Sequence, residues 1–399
     1  MNRIIDIQPL FLRYPFPPHI RYEYSAGVVE NMDAALVQVI CDSGDYGLGE
    51  ITHGQFCYEP VLGLIAHFKR LLMGFPVLEI NRASELMYGS SVFWNRQGLG
   101  IGVIGGINIA LHDLVGKLLK IPVYQLLGGL TRSRIPVYAS NGLFKEVEPL
   151  IADAKRAREL GFRAYKMRIV TPATTIPLVA AFRQELPDMD LIVDAVQGSS
   201  ATPWSVAVSK QIARELERFH ILWFEEPCRV ENIEGYVEMR QSTSLNIAGA
   251  ESLPTALAFK PYLDREALSL VQFDIATTGF TEGLRIASLA AVHCKPVTIH
   301  SWGTIVSALA GLHLALTLPS CAMTEFCFMD HPLNERLSVT RLQPRSGYLH
   351  PPVEPGLGVR FDKSLLEEFP YVPSLNTMIA TDEKDIQLSS RRAKQIVKQ

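Results

Sequence analysis

Three acidic residues in the middle of the 399-residue chain each follow a short apolar segment. Asp194 ends Asp-Leu-Ile-Val-Asp, Glu225 ends Ile-Leu-Trp-Phe-Glu, and Glu251 follows Asn-Ile-Ala-Gly-Ala, with a segment of helical length between each and the next. This pattern predicts three strands with an acid at each C-terminal end. Carboxylates that converge repel one another unless a cation lies between them, and all-oxygen ligation suits Mg²⁺ better than zinc or copper. One such acid alone is typical of a solvated loop, but three at successive strand ends predict a metal site.

The alternation of strands and helices extends on both sides of these acids, from Arg134 to Phe326. Eight strands alternating with helices fit a parallel barrel or an open doubly wound sheet equally well. Polar residues distinguish the two, because they lie at the ends of seven successive strands and only a closed barrel brings those ends to one mouth. We therefore predict a (β/α)8-type barrel. The polar residues are Lys166, Arg168, Asp194, Glu225, Glu251, Asp274, His300 and Glu325.

The first part of the chain has a different pattern. Residues 34–41 and 46–50 read as strands on either side of the turn Asp-Ser-Gly-Asp, which predicts an antiparallel hairpin. Residues 14–24 are rich in proline and aromatic residues and show neither period, so we predict a loop there. With helical patterns over 59–72, 83–88 and 104–119, this region is predicted to be an α+β domain.

A glycine-rich segment at 98–106 contains the pattern GxGxxG at Gly100, Gly102 and Gly105. No apolar strand precedes it, and no acidic residue follows at the distance expected of a dinucleotide-binding unit. We interpret these glycines as sites of close backbone packing at the start of a helix over 107–119.

Composition excludes several classes of protein. The net charge of −3, without runs of Lys or Arg, gives no electrostatic footprint for nucleic acid or anionic lipid, so we expect neither as a partner. Six scattered cysteines without a CxxC pair predict a reduced compartment rather than a disulfide scaffold. The N-terminal residues lack the apolar core of a signal peptide, and we predict no segment of bilayer-spanning length. The cytoplasm is therefore the expected compartment.

Motifs spread in order over nearly the whole chain resemble the enolase superfamily, specifically its mandelate racemase / muconate lactonizing enzyme branch. The resemblance implies a modified TIM barrel over 131–340, an α+β capping domain over 1–130, and a C-terminal segment, 341–399, that returns to the capping domain. It also implies a symmetric homo-oligomer, from dimer to octamer. The segments that carry the resemblance are 106–117 with 122–129, Trp-Phe-Glu-Glu-Pro at 223–227, Gly-Ala-Glu-Ser at 249–252, Gln-Phe-Asp at 272–274, Ile-His-Ser-Trp-Gly-Thr at 299–304 and Pro-Gly-Leu-Gly-Val at 355–359.

The same resemblance implies that Asp194, Glu225 and Glu251 hold one Mg²⁺ in each subunit. Glu226, the second acid of Glu-Glu-Pro, is expected to face the other way by strand alternation. The family removes the proton α to a carboxylate, and the metal stabilises the resulting enediolate. Lys or His bases acting with Mg²⁺ are characteristic of enolase-superfamily sites.

A base and three substrate contacts complete the expected site. His300, with Asp274 as its orienting partner, is predicted to form a His-Asp dyad that acts as the base. By the resemblance, Lys166 neutralises the substrate carboxylate and Glu325 donates a hydrogen bond or proton to it. Ser140 either adds a hydrogen bond or is an ordinary loop serine.

Arg168 stands where the family pattern KxK has its second lysine, the second base of members that work from both faces. A guanidinium, with a pKa above ~12, does not readily take that role. His300 is then the only convincing base. One-base chemistry favours β-elimination of water from an acid sugar over racemisation, with Arg168 holding a hydroxyl or carboxylate of the substrate.

The capping loops 16–29 and 49–58 are expected to select the small-molecule carboxylate. A cationic, hydroxyl-rich lid suits a polyhydroxylated acid or a second carboxylate better than an aromatic substrate. Three alternatives stay open: a sugar-acid lactone cycloisomerase, a racemase or epimerase of a 2-hydroxy acid, and a catalytically silent binding paralogue. The residues expected to contact substrate are Ser140, His19, Arg21, Tyr22, Tyr24, His53, Gln55 and Trp302.

Overall fold

The computed structural model describes residues 2–24, 27–169, 171–339 and 341–372, without the side chains at 19, 23, 24, 27 and 28. The N-terminal part combines a three-stranded antiparallel sheet with helices. Its strands are β1 (Ile4–Pro15), β2 (Tyr22–Tyr24), β3 (Gly27–Val29), β4 (Asn31–Cys41) and β5 (Tyr46–Glu50). Its helices are α1 (Tyr58–Leu72), α2 (Ile80–Ser91), α3 (Leu99–Leu119) and α4 (Val123–Leu126).

The N-terminal sheet has the strand order β1-β4-β5. The predicted hairpin is confirmed, because β4 and β5 pair antiparallel with Leu36 opposite Glu50. The predicted loop at 14–24 is wrong in part, since β1 runs to Pro15 and β2 pairs with β3. Proline is tolerated there because β1 is an edge strand, and the N–H that proline lacks is not needed on the side of the strand that has no neighbour.

Helix α3 lies between the N-terminal sheet and the barrel, and it begins earlier than the predicted start at 104. A Cβ at Gly106 would lie 2.5 Å from the Ile51 side chain, and one at Gly105 would lie 2.3 Å from the carbonyl oxygen of Thr277. The predicted use of these glycines for close packing is confirmed. Contrary to the prediction from sequence, α3 has the length and hydropathy of a membrane span, but 94% of its apolar window is buried inside the protein.

Eight parallel strands alternate with helices after residue 134. The strands are β6 (Ile135–Ser140), β7 (Ala164–Arg168), β8 (Asp190–Asp194), β9 (Phe224–Glu225), β10 (Ile247–Ala248), β11 (Val271–Asp274), β12 (Val297–His300) and β13 (Cys321–Cys327). The helices are α5 (Val147–Glu159), α6 (Pro172–Glu185), α7 (Val206–Leu216), α8 (Ile233–Ser242), α9 (Ala256–Asp264), α10 (Ile275–Val292) and α11 (Ile305–Ala315).

The parallel sheet runs around nearly a full circle in the order β10-β9-β8-β7-β6-β13-β12-β11. Ser269, just before β11, links the two ends of the sheet. Its N–H donates to the carbonyl oxygen of Ile247, and its hydroxyl accepts from the N–H of Ile247, each at 2.8 Å. The predicted barrel with an N-terminal cap is confirmed.

Strand alternation determines which side chains fill the barrel and which form its mouth. An apolar layer inside the barrel includes Tyr138, Ala164, Ile192, Trp223 and Ala248. Two positions further along β7 and β8 lie Lys166 and Asp194, which therefore share the inward orientation. The apolar layer closes the bottom of the barrel, and charged residues follow directly above it.

The segment after the barrel contains α12 (Leu333–Leu337), β14 (Tyr348–Leu349) and α13 (Leu365–Glu368). β14 pairs antiparallel with β6 of the barrel. Further along, the N–H of Leu357 donates to Asp113 in α3 at 2.8 Å, and the N–H of Arg13 in β1 donates to the carbonyl of Phe369 at 3.1 Å. The domain boundaries at 130 and 340 stay a prediction, and 373–399 lie outside the described residues.

Candidate active site

A cavity of about 320 Å³ lies where the barrel mouth meets the N-terminal sheet. Its walls come from the ends of barrel strands, from the segments that follow them, and from residues 22, 29, 31, 33, 52, 53, 55 and 56 of the N-terminal part. A concave site of this size with a few convergent polar groups suits a small molecule. The lining residues that bear on chemistry are Arg168, Glu251, Asp274, His300, Trp302 and Thr52.

His300 and Asp274 end neighbouring parallel strands in register, which places their side chains next to each other. Nδ1 of His300 lies 2.6 Å from Oδ2 of Asp274. Because an ionised carboxylate only accepts hydrogen bonds, the imidazole donates from Nδ1. The second oxygen, Oδ1 of Asp274, accepts from the hydroxyl of Thr52 and from the N–H of Thr277, both at 2.7 Å. Nε2 of His300 lies 3.1 Å from Oε2 of Glu251, so it faces the acids at the barrel mouth.

Lys166 is fully buried and lies among three of the acids. Its Nζ atom is 2.6 Å from Oε1 of Glu225, 3.0 Å from Oε1 of Glu325 and 3.5 Å from Oδ2 of Asp194. Burial lowers the pKa of Lys166, but Glu225 and Glu325 outweigh it and hold that pKa well above its usual value. The side chain is therefore a fixed positive charge beneath the cavity.

Arg168 borders the cavity beside this lysine. Its Nε atom lies 3.4 Å from Asp194 and its Nη2 atom 3.6 Å from Glu325, while Nη1 donates to the carbonyl of Asn141 at 3.0 Å. Its guanidinium carbon lies 4.0 Å from the ring centroid of Trp302. Burial lowers the pKa of Arg168, but Asp194 and Glu325 outweigh it and raise the pKa above its usual value. Arg168 is thus unsuited to accept a proton.

The three acids predicted to bind metal end adjacent strands or lie just beyond them. Oε2 of Glu225 accepts from the indole N–H of Trp223 at 2.9 Å, and Oδ1 of Asp194 accepts from the N–H of Val196 at 2.8 Å. Such outer contacts orient carboxylates for ligation. Within the described ranges, however, no three acid, thiol or imidazole groups stand close enough together to hold one ion. Glu225 and Glu251 instead contact Lys166 and His300, at 2.6 and 3.1 Å.

The charges of the site nevertheless fit a hard divalent cation. Burial raises the pKa of Glu225, Lys166 lowers it, and Asp194 then raises it further, with the result above its usual value. The pKa of Glu251 is raised by burial, lowered by His300 and raised again by Glu225. A cation among these carboxylates would relieve both the burial cost and the mutual repulsion. The donors are oxygens only, as Mg²⁺ requires.

Nearby acids also affect the pKa of His300. Burial lowers the pKa of His300, but Glu251, Glu325 and Asp274 outweigh it and raise that pKa to about 10. Glu325 itself accepts from the N–H of Ser301 at 2.9 Å. Burial raises the pKa of Glu325, but His300, Lys166 and Arg168 outweigh it and lower the pKa below its usual range. As placed here, Glu325 accepts hydrogen bonds, whereas the sequence prediction made it a donor.

Three residues beside the predicted ligands have left-handed backbone conformations that side chains rarely adopt. Their φ angles are 50° at Val196, 44° at Glu226 and 70° at Ala250. Backbone strain of this kind clusters at functional sites. Strand β9 ends at Glu225, so strand alternation does not extend to Glu226, and the predicted orientation of Glu226 stays a prediction. Burial and then Glu251, Asp194 and Glu225 raise the pKa of Glu226 well above its usual value, so a fourth carboxyl group interacts electrostatically with the three.

Only some of the predicted substrate contacts reach the cavity. Tyr22, His53, Gln55 and Trp302 line it, whereas Arg21 pairs with Glu30 at 2.8 Å and does not. Ser140 is fully buried at the end of β6 and does not line the cavity. The side chains of His19 and Tyr24 lie outside what the structure describes. Sequence reasoning missed Thr52, because its contact with Asp274 joins residues far apart in the chain.

Comparison with known proteins identifies relatives of the same fold. A D-xylonate dehydratase of Haloferax volcanii is 29% identical over 350 residues, which cover 83% of this chain and 84% of that protein. The crystal structure of a 3,6-anhydro-D-galactonate cycloisomerase from Zobellia galactanivorans has a TM-score of 0.82 and 29% identity, covering 92% of this chain and 99% of that one. A racemase from Streptomyces coelicolor A3(2), crystallised with bound magnesium, has the same fold, with a TM-score of 0.81 and 24% identity over 92% of this chain and 99% of that one.

Family models match both parts of the chain. Residues 150–365 match "Enolase C-terminal domain-like", and residues 11–128 match "Mandelate racemase / muconate lactonizing enzyme, N-terminal domain". The first match covers the barrel strands from β7 to β13, and the second covers the N-terminal sheet and its helices. The chain therefore belongs to the mandelate racemase / muconate lactonizing enzyme family of the enolase superfamily.

Proposed function

We propose that this protein removes the proton α to a carboxylate in a Mg²⁺-dependent reaction, and that the reaction is the dehydration of an acid sugar to a 2-keto-3-deoxy acid. The observation that carries the proposal is the His300–Asp274 pair, 2.6 Å apart, which opens into the same cavity as Glu251 and Arg168. An oriented imidazole beside converging carboxylates and fixed cations provides a base next to an anion-binding site.

Asp194, Glu225 and Glu251 would hold the metal. When bound, Mg²⁺ supplies positive charge that stabilises the enediolate formed when the α-proton leaves. Lys166 lies 2.6 Å from Glu225, and His300 lies 3.1 Å from Glu251, so these two side chains place positive charge beside the acids.

His300 is assigned as the base. Asp274 holds Nδ1 as the donor, so Nε2 is the nitrogen that accepts the α-proton. Lys166, which lies 3.0 Å from Glu325, supplies a buried positive charge for the substrate carboxylate. Arg168, held by Trp302 and Asn141, supplies a second cation at the cavity wall for a carboxylate or hydroxyl oxygen.

Elimination then completes the reaction. The electron pair left at the α-carbon forms the double bond to C3, and the C3–O bond breaks. The imidazolium of His300 returns its proton to the departing hydroxide, which leaves as water. The resulting enol becomes the 2-keto-3-deoxy acid when C3 takes a proton from solvent and the enol hydroxyl releases its own proton to solvent, so the elimination itself needs only one base.

A racemase is disfavoured by the chemistry of Arg168. Racemisation needs proton transfer on both faces of the α-carbon, and the face opposite His300 would have to be served by a guanidinium with a raised pKa. A cycloisomerase is the second candidate, because the structurally similar protein from Zobellia galactanivorans carries that activity and one base also suffices for it. A cycloisomerase conserves the mass of its substrate, whereas a dehydratase releases one water.

The proposal is tested by screening a library of aldonic and aldaric acids and their lactones with Mg²⁺ present, with detection of 2-keto-3-deoxy acids by a colour reaction and of mass change by mass spectrometry. The expected result is loss of one water from at least one acid sugar, abolished by chelator. His300→Asn, which replaces the imidazole with a smaller polar side chain and so removes the base, is the control. Mass-conserving conversion of a lactone would favour the cycloisomerase, and turnover that persists in His300→Asn would overturn the assignment of the base.

A further inference from the structure

We infer that Glu50 at the end of strand β5 and Thr52 in the turn that follows hold the His300–Asp274 pair in place, and that Thr52 is a positioning residue for the reaction. The effect of Thr52 on catalysis rests on the proposed function. The contacts that hold Asp274 and the segment after His300 do not depend on it. It assigns to the N-terminal sheet a role in the acid–base machinery in addition to covering the barrel mouth.

Thr52 contacts the aspartate of the pair directly. Its hydroxyl donates to Oδ1 of Asp274 at 2.7 Å, and the N–H of Thr277 donates to the same oxygen at 2.7 Å. Two donors on one oxygen fix the rotation of the carboxylate, so that Oδ2 faces Nδ1 of His300. The N–H of Thr277 comes from the first turn of α10, but the hydroxyl comes from the other domain. Thr52 therefore acts on His300 through Asp274.

Glu50, two residues earlier, fixes the segment that follows His300. Its buried carboxylate accepts from the N–H and the hydroxyl of Thr304, at 2.9 and 2.7 Å, and from the N–H of Ser307 at 3.0 Å. Thr304 is the N-cap of α11, and a carboxylate there pairs with N–H groups that lack partners within the helix. This contact anchors residues 301–304, which connect His300 to α11.

Gly303 allows this close approach of Glu50 to the barrel. A Cβ at Gly303 would lie 2.7 Å from Oε1 of Glu50. A side chain at this position would push Glu50 away from the N-terminus of α11. Gly303 thus supports the same contact as Glu50 and Thr304.

The geometry has a consequence for catalysis. Asp274 and the segment after His300 come from adjacent barrel strands, yet both are held from the N-terminal part, by Thr52 and by Glu50 two residues before it. A small displacement of residues 50–52 would rotate the Asp274 carboxylate and release the segment after His300 together. We expect such a change to lower the rate of the chemical step more than the affinity for substrate, because Thr52 contacts Asp274. The charges proposed to bind the substrate belong to Lys166 and Arg168, which Thr52 does not hold.

The test compares Thr52→Val, which removes the hydroxyl and keeps the shape, with Thr52→Ser, which keeps the hydroxyl. With the acid sugar found by the screen, Thr52→Val is expected to lower kcat by about 10-fold or more, as loss of an outer partner of a catalytic group does. KM and Tm should change little, and Thr52→Ser should restore most of kcat. A kcat for Thr52→Val equal to that of the native enzyme would overturn the inference.

A second measurement does not depend on turnover. The Nδ1 proton of His300, hydrogen-bonded to a carboxylate, should give a downfield proton NMR resonance that is absent in His300→Asn. We expect Thr52→Val to broaden or shift this resonance and Thr52→Ser to preserve it. An unchanged resonance in Thr52→Val would overturn the inference even if no acid sugar is turned over, whereas failure of the screen with the resonance altered would count against the proposed function only.

Discussion

The guanidinium carbon of Arg168 lies 4.0 Å from the ring centroid of Trp302, so the arginine that replaces the family's second lysine is stacked on an aromatic face. Trp302 itself lies in the segment after His300 and packs edge-on against Tyr22 of the N-terminal part, with ring centroids 6.2 Å apart. The stack therefore connects the cation of β7 to the lid and to the segment that carries the base. It holds a planar charge in a defined orientation at the cavity wall.

Arg168→Lys is expected to keep the positive charge but to lose the stack and the hydrogen bond to Asn141. We predict a rise in KM of about 5-fold, which corresponds to about 1 kcal/mol of lost interaction. Because lysine is able to exchange protons, the variant is also predicted to introduce slow α-hydrogen exchange on the face opposite His300. Chiral analysis of substrate recovered from D₂O measures this. Interconversion of α-epimers by the native enzyme, at rates comparable to elimination, would contradict one-base chemistry.

Trp302→Leu is expected to leave Arg168 without its aromatic face. We predict that KM rises about 5-fold while kcat falls less, because Trp302 touches the cation that binds substrate rather than His300. Trp302→Phe retains a ring and serves as the matched control, with a smaller rise in KM. Steady-state kinetics of both variants provide the measurement, and equal KM values for leucine and phenylalanine would show that the stack does not contribute.

Mg²⁺ is expected to stabilise the native protein and to be required for turnover. At 100 times its dissociation constant a ligand that binds only the folded state adds about 2.7 kcal/mol to the free energy of unfolding, which appears as a higher Tm. We predict that Mg²⁺ raises the Tm of the native protein and not that of Glu225→Gln. Thermal unfolding with Mg²⁺ and with chelator measures the difference. Full activity of Glu225→Gln in chelator-treated buffer would refute the assignment of the ligands.

Stability is expected to decrease in acid because of buried neutral histidines remote from the active site. Nδ1 of His313 accepts from the N–H of Tyr124 at 3.1 Å, and burial lowers the pKa of His313 from 6.5 to about 4. A folded-state pKa below the unfolded one means that the unfolded chain binds more protons between these values. The contribution of His313, about 3 kcal/mol, is therefore complete above pH 6.5 and is lost as pH falls toward 4.

His313→Gln tests this pH dependence. The variant removes the ionisation, so the slope of the unfolding free energy between pH 4 and 6.5 should decrease by up to about 1.4 kcal/mol per pH unit. Part of the slope should persist, because burial also lowers the pKa of His112 and His331 to about 4. Urea unfolding at a series of pH values gives the slopes. Parallel curves for the native protein and the variant would show that His313 already titrates normally in the folded state.

The sequence predicted those features that depend on local pattern. Alternation of apolar segments with helical stretches gave the barrel, and acids at strand ends gave the positions of Asp194 and Glu225, because neighbouring parallel strands bring their C-terminal ends together. The pairing of His300 with Asp274 followed in the same way, since both end strands that are adjacent in the sheet.

Other features depend on contacts between distant segments and were therefore missed. Nothing near Glu50 or Thr52 in the sequence indicates that both reach the barrel mouth, because their partners lie more than 200 residues away. The left-handed backbone of Glu226, directly after a two-residue strand, is likewise not predicted by strand alternation. Arg21 was predicted to contact the substrate as part of the lid, but it pairs with Glu30 and does not line the cavity.

Removal of the α-proton by His300 is tested by exchange with solvent. In D₂O with Mg²⁺, the native enzyme is incubated with a 2-hydroxy acid that lacks a leaving group at C3, and deuterium at the α-carbon is followed by proton NMR. We expect stereospecific exchange by the native enzyme and none by His300→Asn. Exchange by His300→Asn at the native rate, or its absence from a native enzyme that still dehydrates acid sugars, would contradict the assignment of His300 as the base.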